Sequence, residues 1–376
     1  MRLRPRVVAA AVVLAMAVAA TPAGAVSGGH KAAIADAPYV AWLPEGCTGT
    51  LIAPDRVLTA GHCLSEFTPV GFSVIVGRDG NALVPFGRNR FQAAIANGGI
   101  PARGFSVNPG FKESFPFAHR APQNAIALND VGVILLDRPV TDVAPVKVAG
   151  PADATDERVG EAASIFGYGL AGPSFRSQPR SLKSGAMTVI SPSACRRSYP
   201  HAIVASEICG QDLTSRGTPL VQACPGDSGG PFIRQTASGP VQIGITSWGP
   251  EVKDAKCGRR HLPGVYTRTS SFASFINDPN PVIEPFPTDP EHNFPRVTGV
   301  PKVGETLTCN PPQFGGSPAT LSYRWIFNFK TVSRKQTLVA TKAMAGHRAG
   351  CHVTARNAGG QFTDDSPRVG DLVIEG

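Results

Sequence analysis

The eight residues "CPGDSGGP" at 224–231 set one serine, Ser228, among three glycines and between two prolines. A glycine-rich turn lets backbone N–H groups crowd one point, where they can stabilise an oxyanion. A serine hydroxyl is a poor nucleophile near neutral pH. It needs a base to take its proton and a third group to hold that base in the right tautomer. "LTAGHC" at 58–63 supplies His62, and "NDVGVILLD" at 129–137 supplies Asp130. Ser228 is then the nucleophile, His62 the base and Asp130 its orienting partner, with Gly226 and Ser228 as oxyanion donors. Taken singly, these are residues of ordinary loops and turns. Their joint occurrence carries the reading.

Outward from these motifs, short β-branched runs such as "GTLIA", "FSVIV", "VGVILL", "AASIFG", "VQIGITSW" and "GVYTR" alternate with Gly and Pro turns. This predicts an all-β unit of barrel or sandwich type. Helical periodicity is convincing only in "SSFASFIND", at its end. The stretch 279–295 contains prolines at 279, 281, 285, 287, 290 and 295, and reads as an extended, semi-rigid linker. Beyond it, residues 296–376 give a smaller β unit.

Arg2, Arg4 and Arg6 precede an apolar run from Val7 to Ala20, and Ala23-Gly24-Ala25 ends it with small residues. The run is short for a membrane span, so residues 1–25 are expected to be a removed signal peptide. The mature chain is expected to be secreted, extracellular and free of the membrane. It keeps 33 basic and 27 acidic side chains, a net charge of +6 with no run of like charges, so nucleic acid is not expected as a partner. The eight cysteines suggest four disulfides in an oxidising destination. None lies in a C-x-x-C pair, and no metal or other cofactor is expected.

The three motifs resemble those of the trypsin and chymotrypsin family of serine peptidases, over residues 26–278. "GDSGGP" is intact, Gly61 replaces the second alanine of the family's "TAAHC", and "DIAL" becomes Asp130-Val131-Gly132-Val133. The resemblance implies two six-stranded antiparallel β-barrels, with His62 and Asp130 from the first and Ser228 from the second. It implies disulfides Cys47–Cys63, Cys195–Cys209 and Cys224–Cys257, a polypeptide substrate and hydrolysis through an acyl-enzyme. It also implies that a freed Val26 amine turns inward to pair with Asp227. Ala25 is thus both the last residue of the expected signal and the residue before that terminus, so one cut would expose Val26. A cut after Ala19 would require a second.

Gln222 stands where trypsin-like members carry an aspartate, which implies a neutral pocket for a fairly large side chain. Ser247, Trp248 and Gly249 resemble the segment that pairs with substrate backbone, and Gly264 the pocket's far wall. Glu251 and Asp254, in the long stretch "PEVKDAK", are the alternative source of an acidic, basic-preferring pocket. In the C-terminal unit, Cys309, Trp325 and Cys351 follow the order of a small Ig-like β-sandwich with an inter-sheet disulfide, resembling modules of bacterial secreted proteins. Its ten basic and five acidic residues suit an anionic cell wall or polysaccharide. The chain is expected to act as a monomer. The rival functions are a protease-like binding or adhesion protein and an enzyme acting mainly on esters.

Overall fold

The computed structural model describes residues 26–65, 67, 71–79, 90–114, 126–169, 181–199, 203–216, 220–249, 257–258, 262–281, 295–311, 314, 320–327, 330–347, 349–357, 360–365 and 373–376. The signal expected at 1–25, most of the linker, and both Glu251 and Asp254 lie outside the described residues. Among the described residues no helix is long and apolar enough to cross a membrane.

Six antiparallel strands close the first barrel, in the order Val40–Leu43, Cys47–Ala53, Arg56–Thr59, Gly132–Leu136, Ile100–Val107 and Ser73–Val76. Closure follows from composition. "VAWL" and "GVILL" are buried at every position and have polar faces on neither side, so they need neighbours all round. A closed sheet supplies them and leaves no open edge.

The second barrel repeats the plan with Lys183–Ile190, Ala162–Gly167, Pro231–Thr236, Gly239–Trp248, Gly264–Arg268 and Glu207–Gln211. The last strand returns to the first, Thr188 facing Gln211 and Ile190 facing Cys209. His30–Lys31 adds to one edge opposite Lys183 and Ser184, so the segment after Val26 is part of this sheet system. Arg56 closes off the unit by donating to the carbonyls of Asp278 and Pro279, at the expected start of the linker.

Helices are more numerous than the sequence pattern suggests. "SSFASFIND" forms a 3-10 turn, Thr269–Phe272, followed by one α-turn, Ala273–Ile276. Short α-helices also form at His62–Ser65, Arg90–Ala96 and Pro192–Ser198. The last is capped by Ser191, whose Oγ accepts the Ala194 N–H at 3.1 Å, with Pro192 in the first turn. Such pieces are too short to show a 3.6-residue period, and so escape a periodicity reading.

The C-terminal unit has a three-stranded sheet, Arg296–Thr298, Thr306–Asn310 and Thr337–Val339, and a four-stranded one, Lys330–Ser333, Thr320–Phe327, Ala349–Asn357 and Gly360–Asp365. Cys309 from the first sheet is disulfide-bonded to Cys351 from the second. Trp325 lies opposite Cys351 across the strand pair and is fully buried with Leu307, Leu338, Val353 and Ile374.

Candidate active site

Asp130 is the fixed point of the cleft. It is fully buried, and its carboxylate accepts the His62 backbone N–H at 2.9 Å through Oδ1. Its Oδ2 lies 2.8 Å from His62 Nδ1 and accepts Ser247 Oγ–H at 2.5 Å. Burial raises the Asp130 carboxyl, but the His62 charge and the hydrogen bonds from His62 and Ser247 outweigh it, holding the group below the ordinary carboxylate range. A carboxylate so held keeps the proton on Nδ1 and leaves Nε2 as the ring's acceptor.

Two departures from the family's motifs have packing reasons. A Cβ at Gly61 would sit 3.1 Å from the Phe111 ring and 3.3 Å from Asp130 Oδ1, so glycine lets the phenylalanine cover the His62–Asp130 contact. A Cβ at Gly132 would meet Leu64 Cδ1 at 2.7 Å, the leucine filling the place of the family's alanine. Asn129 takes the left-handed conformation, φ 52°, which asparagine tolerates, and its side chain donates to the Gly110 carbonyl at 2.8 Å.

Ser228 is held from the first barrel. Thr48 N–H donates to the Ser228 carbonyl at 2.8 Å, and Thr48 Oγ1 donates to the Gly226 carbonyl at 2.9 Å. Thr48 follows Cys47, which is bonded to Cys63, which follows His62. One covalent and hydrogen-bonded path therefore joins base and nucleophile loop. The turn itself is closed by Asp227 N–H on the Cys224 carbonyl at 2.9 Å, with Pro225 and Gly226 as its central residues and Gly226 at φ +94°. That pattern is a type II turn, in which the third position favours glycine. Gly229, φ +78°, has no room for a side chain: a Cβ would lie 2.0 Å from Thr59 Oγ1 and 2.3 Å from the Thr48 carbonyl. The sequence reading missed Thr48, because its role depends on a partner 178 residues away.

Val26 is buried, and its N donates to Asp227 Oδ2 at 3.0 Å. Asp227 also accepts Cys224 N–H at 2.8 Å and Gly169 N–H at 2.8 Å. Burial pushes the Asp227 carboxyl up to about 6, opposed by these three donors. The next residue, Ser27, exchanges two backbone bonds with Gln222, at 2.9 and 3.1 Å. The residue next to the expected activation terminus is thus joined to the expected pocket floor by an isolated antiparallel bridge.

Both ends of the Gln222 amide are tied to backbone. Its Nε2 donates to the Leu262 carbonyl at 3.1 Å and its Oε1 accepts Gly258 N–H at 2.8 Å. Ser247 and Trp248 end the strand Gly239–Trp248, and no described residue lies within 4 Å of where a Gly249 Cβ would stand. At Gly264 a Cβ would meet Tyr266 Oη at 2.8 Å, so that wall is glycine because tyrosine occupies the space behind it.

The disulfides Cys47–Cys63, Cys195–Cys209 and Cys309–Cys351 are formed. The fourth expected pair is not. Cys224 and Cys257 are thiols within hydrogen-bond reach of each other. That contact, followed by burial, pushes the Cys224 thiol up, and the same contact lowers Cys257. Cys47, His62 and Cys63 have side-chain atoms close enough to hold a metal, but both sulfurs are bonded to each other.

The trypsin family model matches residues 26–276, which include both barrels and every residue of this cleft. The chain belongs to the trypsin family. A trypsin of Saccharopolyspora erythraea is 30% identical over 252 residues, covering 65% of this chain and 93% of that protein. A lectizyme of Glossina austeni is 28% identical over 271 residues, covering 68% and 87%. Kallikrein-2 of Homo sapiens is 29% identical over 235 residues, covering 62% and 79%. With its two barrels and its family match, this trypsin-family chain is a serine endopeptidase.

Proposed function

We propose that this trypsin-family protein is a secreted endopeptidase that cleaves polypeptides through Ser228, His62 and Asp130. The observation that carries the reading is the buried Asp130 carboxylate on His62 Nδ1, in a cleft whose other side is the Ser228 turn. His62 Nε2 takes the Ser228 Oγ proton as Oγ bonds to the scissile carbonyl carbon. Charge collects on the carbonyl oxygen, where the N–H groups of Gly226 and Ser228 stabilise it. The C–N bond then breaks as His62 returns the proton to the leaving amine, and water repeats the sequence to free the acid.

Activation rests on Val26. As an amide within a longer chain it has φ 50°, a costly conformation for a β-branched residue, on the order of 1–3 kcal/mol. A cut after Ala25 removes the preceding carbonyl that creates this clash. It also turns the 3.0 Å contact with Asp227 into an ion pair. Export alone is then sufficient to activate the enzyme.

The pocket takes a neutral, fairly large side chain, a reading supported by the neutral Gln222 amide, bound at both ends to backbone, and by the absence of a side chain at Gly249. The C-terminal unit is an Ig-like β-sandwich that contacts anionic cell wall or polysaccharide, and the chain acts as a monomer. A serine-directed fluorophosphonate should label the secreted protein and not its Ser228→Ala variant. Equal labelling of both would leave the protease-like binding protein as the better reading. A peptide library should show cleavage after neutral residues, whereas a preference for Arg or Lys would assign the pocket's charge to Glu251 or Asp254.

A further inference from the structure

Behind the Ser247–Gly249 wall lies a carboxyl that the triad does not use. Glu207 opens the strand Glu207–Gln211 opposite Thr267 and is 4% exposed. Its Oε1 accepts the Trp248 indole N–H at 3.1 Å and its Oε2 accepts the Val204 N–H at 2.9 Å. The indole packs edge-on against Tyr199 with centroids 5.1 Å apart. Tyr199 Oη in turn donates to the Pro263 carbonyl at 2.7 Å, one residue before Gly264. The Trp248 wall therefore backs onto a buried acid, and through Tyr199 it is linked to the chain beside Gly264.

A leucine or methionine would fill this space without the cost of burying a carboxylate, but would leave the indole N–H unpaired. The charged groups around Glu207 do not neutralise it. Asp130 adds negative charge, with His62 paired to Asp130 itself. Arg268 spends Nη2 on the Glu207 backbone carbonyl at 3.1 Å and Nη1 on Glu157. Burial pushes the Glu207 carboxyl up to about 7, with Asp130 adding to the rise and the bonds from Val204 and Trp248 opposing it.

We propose that Glu207 is a positioning residue of the substrate cleft, whose carboxylate sets the Trp248 indole from behind, so that substrate binding follows the charge of a group that touches no substrate atom. A charge-assisted bond is shorter and about twice as strong as a neutral one. Ionised, Glu207 holds the indole against Tyr199 as a fixed wall. Protonated, it leaves a weaker acceptor and a looser wall.

The test uses the full mature chain carrying Ser228→Ala, with isotope-labelled tryptophan and nuclear magnetic resonance. The chain has three tryptophans, and among the described residues the indole N–H groups of Trp42 and Trp325 have no acceptor, whereas that of Trp248 has one; its resonance is assigned by its loss in Trp248→Phe. Between roughly pH 5 and pH 9 its indole resonance should move with a midpoint near 7, and in Glu207→Gln it should stay still. A flat wild-type trace, or a titration that survives in Glu207→Gln, would overturn the proposal. Glu207→Asp, with a shorter reach, replaces the Gln variant if that fails to fold, and should displace the resonance at every pH.

The kinetic arm alone rests on the peptidase reading. With Ser228 restored and an acylated tripeptide ester as probe, wild-type KM should fall about threefold or more as pH rises through the Glu207 transition. In Glu207→Gln, KM should stay flat at the higher value with kcat within about twofold. Parallel KM profiles would overturn the proposal. A chain that turns over no ester or peptide would defeat the peptidase reading, yet the indole titration would still decide whether Glu207 sets Trp248.

Discussion

Thr48 Oγ1 donates to the carbonyl of Gly226 at 2.9 Å and accepts the backbone N–H of Tyr168 at 3.1 Å, so one hydroxyl of the first barrel fixes the turn that precedes the nucleophile in the second. Thr48→Val keeps the shape and removes both bonds. Each is worth ~1 kcal/mol, so kcat should fall by up to about thirtyfold with KM little changed. Thr48→Ser should restore it. A valine variant with full kcat would show that the strand contacts alone hold the turn.

The Asp130–His62 contact predicts the pH profile on the acidic side. The base must be neutral, so activity should rise as pH climbs through the titration of His62. Asp130→Asn should lower kcat by about four orders of magnitude, through loss of the tautomer that presents Nε2 as a base. Ser247→Ala removes one charge-assisted donor from Asp130 and should cost roughly tenfold. Steady-state kinetics across pH checks all three, and a flat profile from about pH 4 upward would contradict the assignment of His62.

Val26 predicts the alkaline side. A free α-amine has an ordinary pKa of about 8, and pairing with Asp227 raises it in the folded, active form. A raised value means that the stabilisation is complete below the ordinary pKa and is lost as pH climbs through the folded one. Activity should therefore fall reversibly above about pH 8, while an N-acetylated chain should be inactive throughout. Asp227→Asn should abolish activity, and Val26→Gly should reduce it by weakening the apolar anchor. The mass of the secreted chain decides whether it starts at Val26 or Ala20.

Cys224 and Cys257 predict a redox step. Under oxidised glutathione the more accessible Cys257 thiol should attack first, and Cys224 should then displace glutathione to close the pair. Thiol titration should show both thiols lost, and closure should stabilise by about 2–4 kcal/mol, read as a higher Tm. Two persistent thiols after such treatment would mean that the native enzyme keeps this pair open.

Much of the site was legible along the chain because its chemistry is written in short contiguous pieces. His62 next to Cys63, Asp130 ahead of an apolar strand, and Ser228 in a glycine turn each place a reactive group beside the feature that shapes its loop. Buried strands such as "GVILL" were legible for a similar reason, since a short apolar run bounded by turns has few other uses. The short helices were not, and neither was the state of Cys224 and Cys257, which the family pattern pairs and the structure leaves as thiols.

Residue types, chain order and strand-forming stretches were set by the sequence, because they depend on neighbours within a few positions. The tertiary structure alone decided what those residues spend their bonds on. It put Thr48 on Gly226, closed the Gln222 amide onto Leu262 and Gly258, and placed the buried Glu207 carboxylate behind Trp248. The physical reason is that a hydrogen bond's worth depends on burial and on its partner. Here the partners stand 178, 40, 36 and 41 residues apart, and are brought together only by the folding of the barrels.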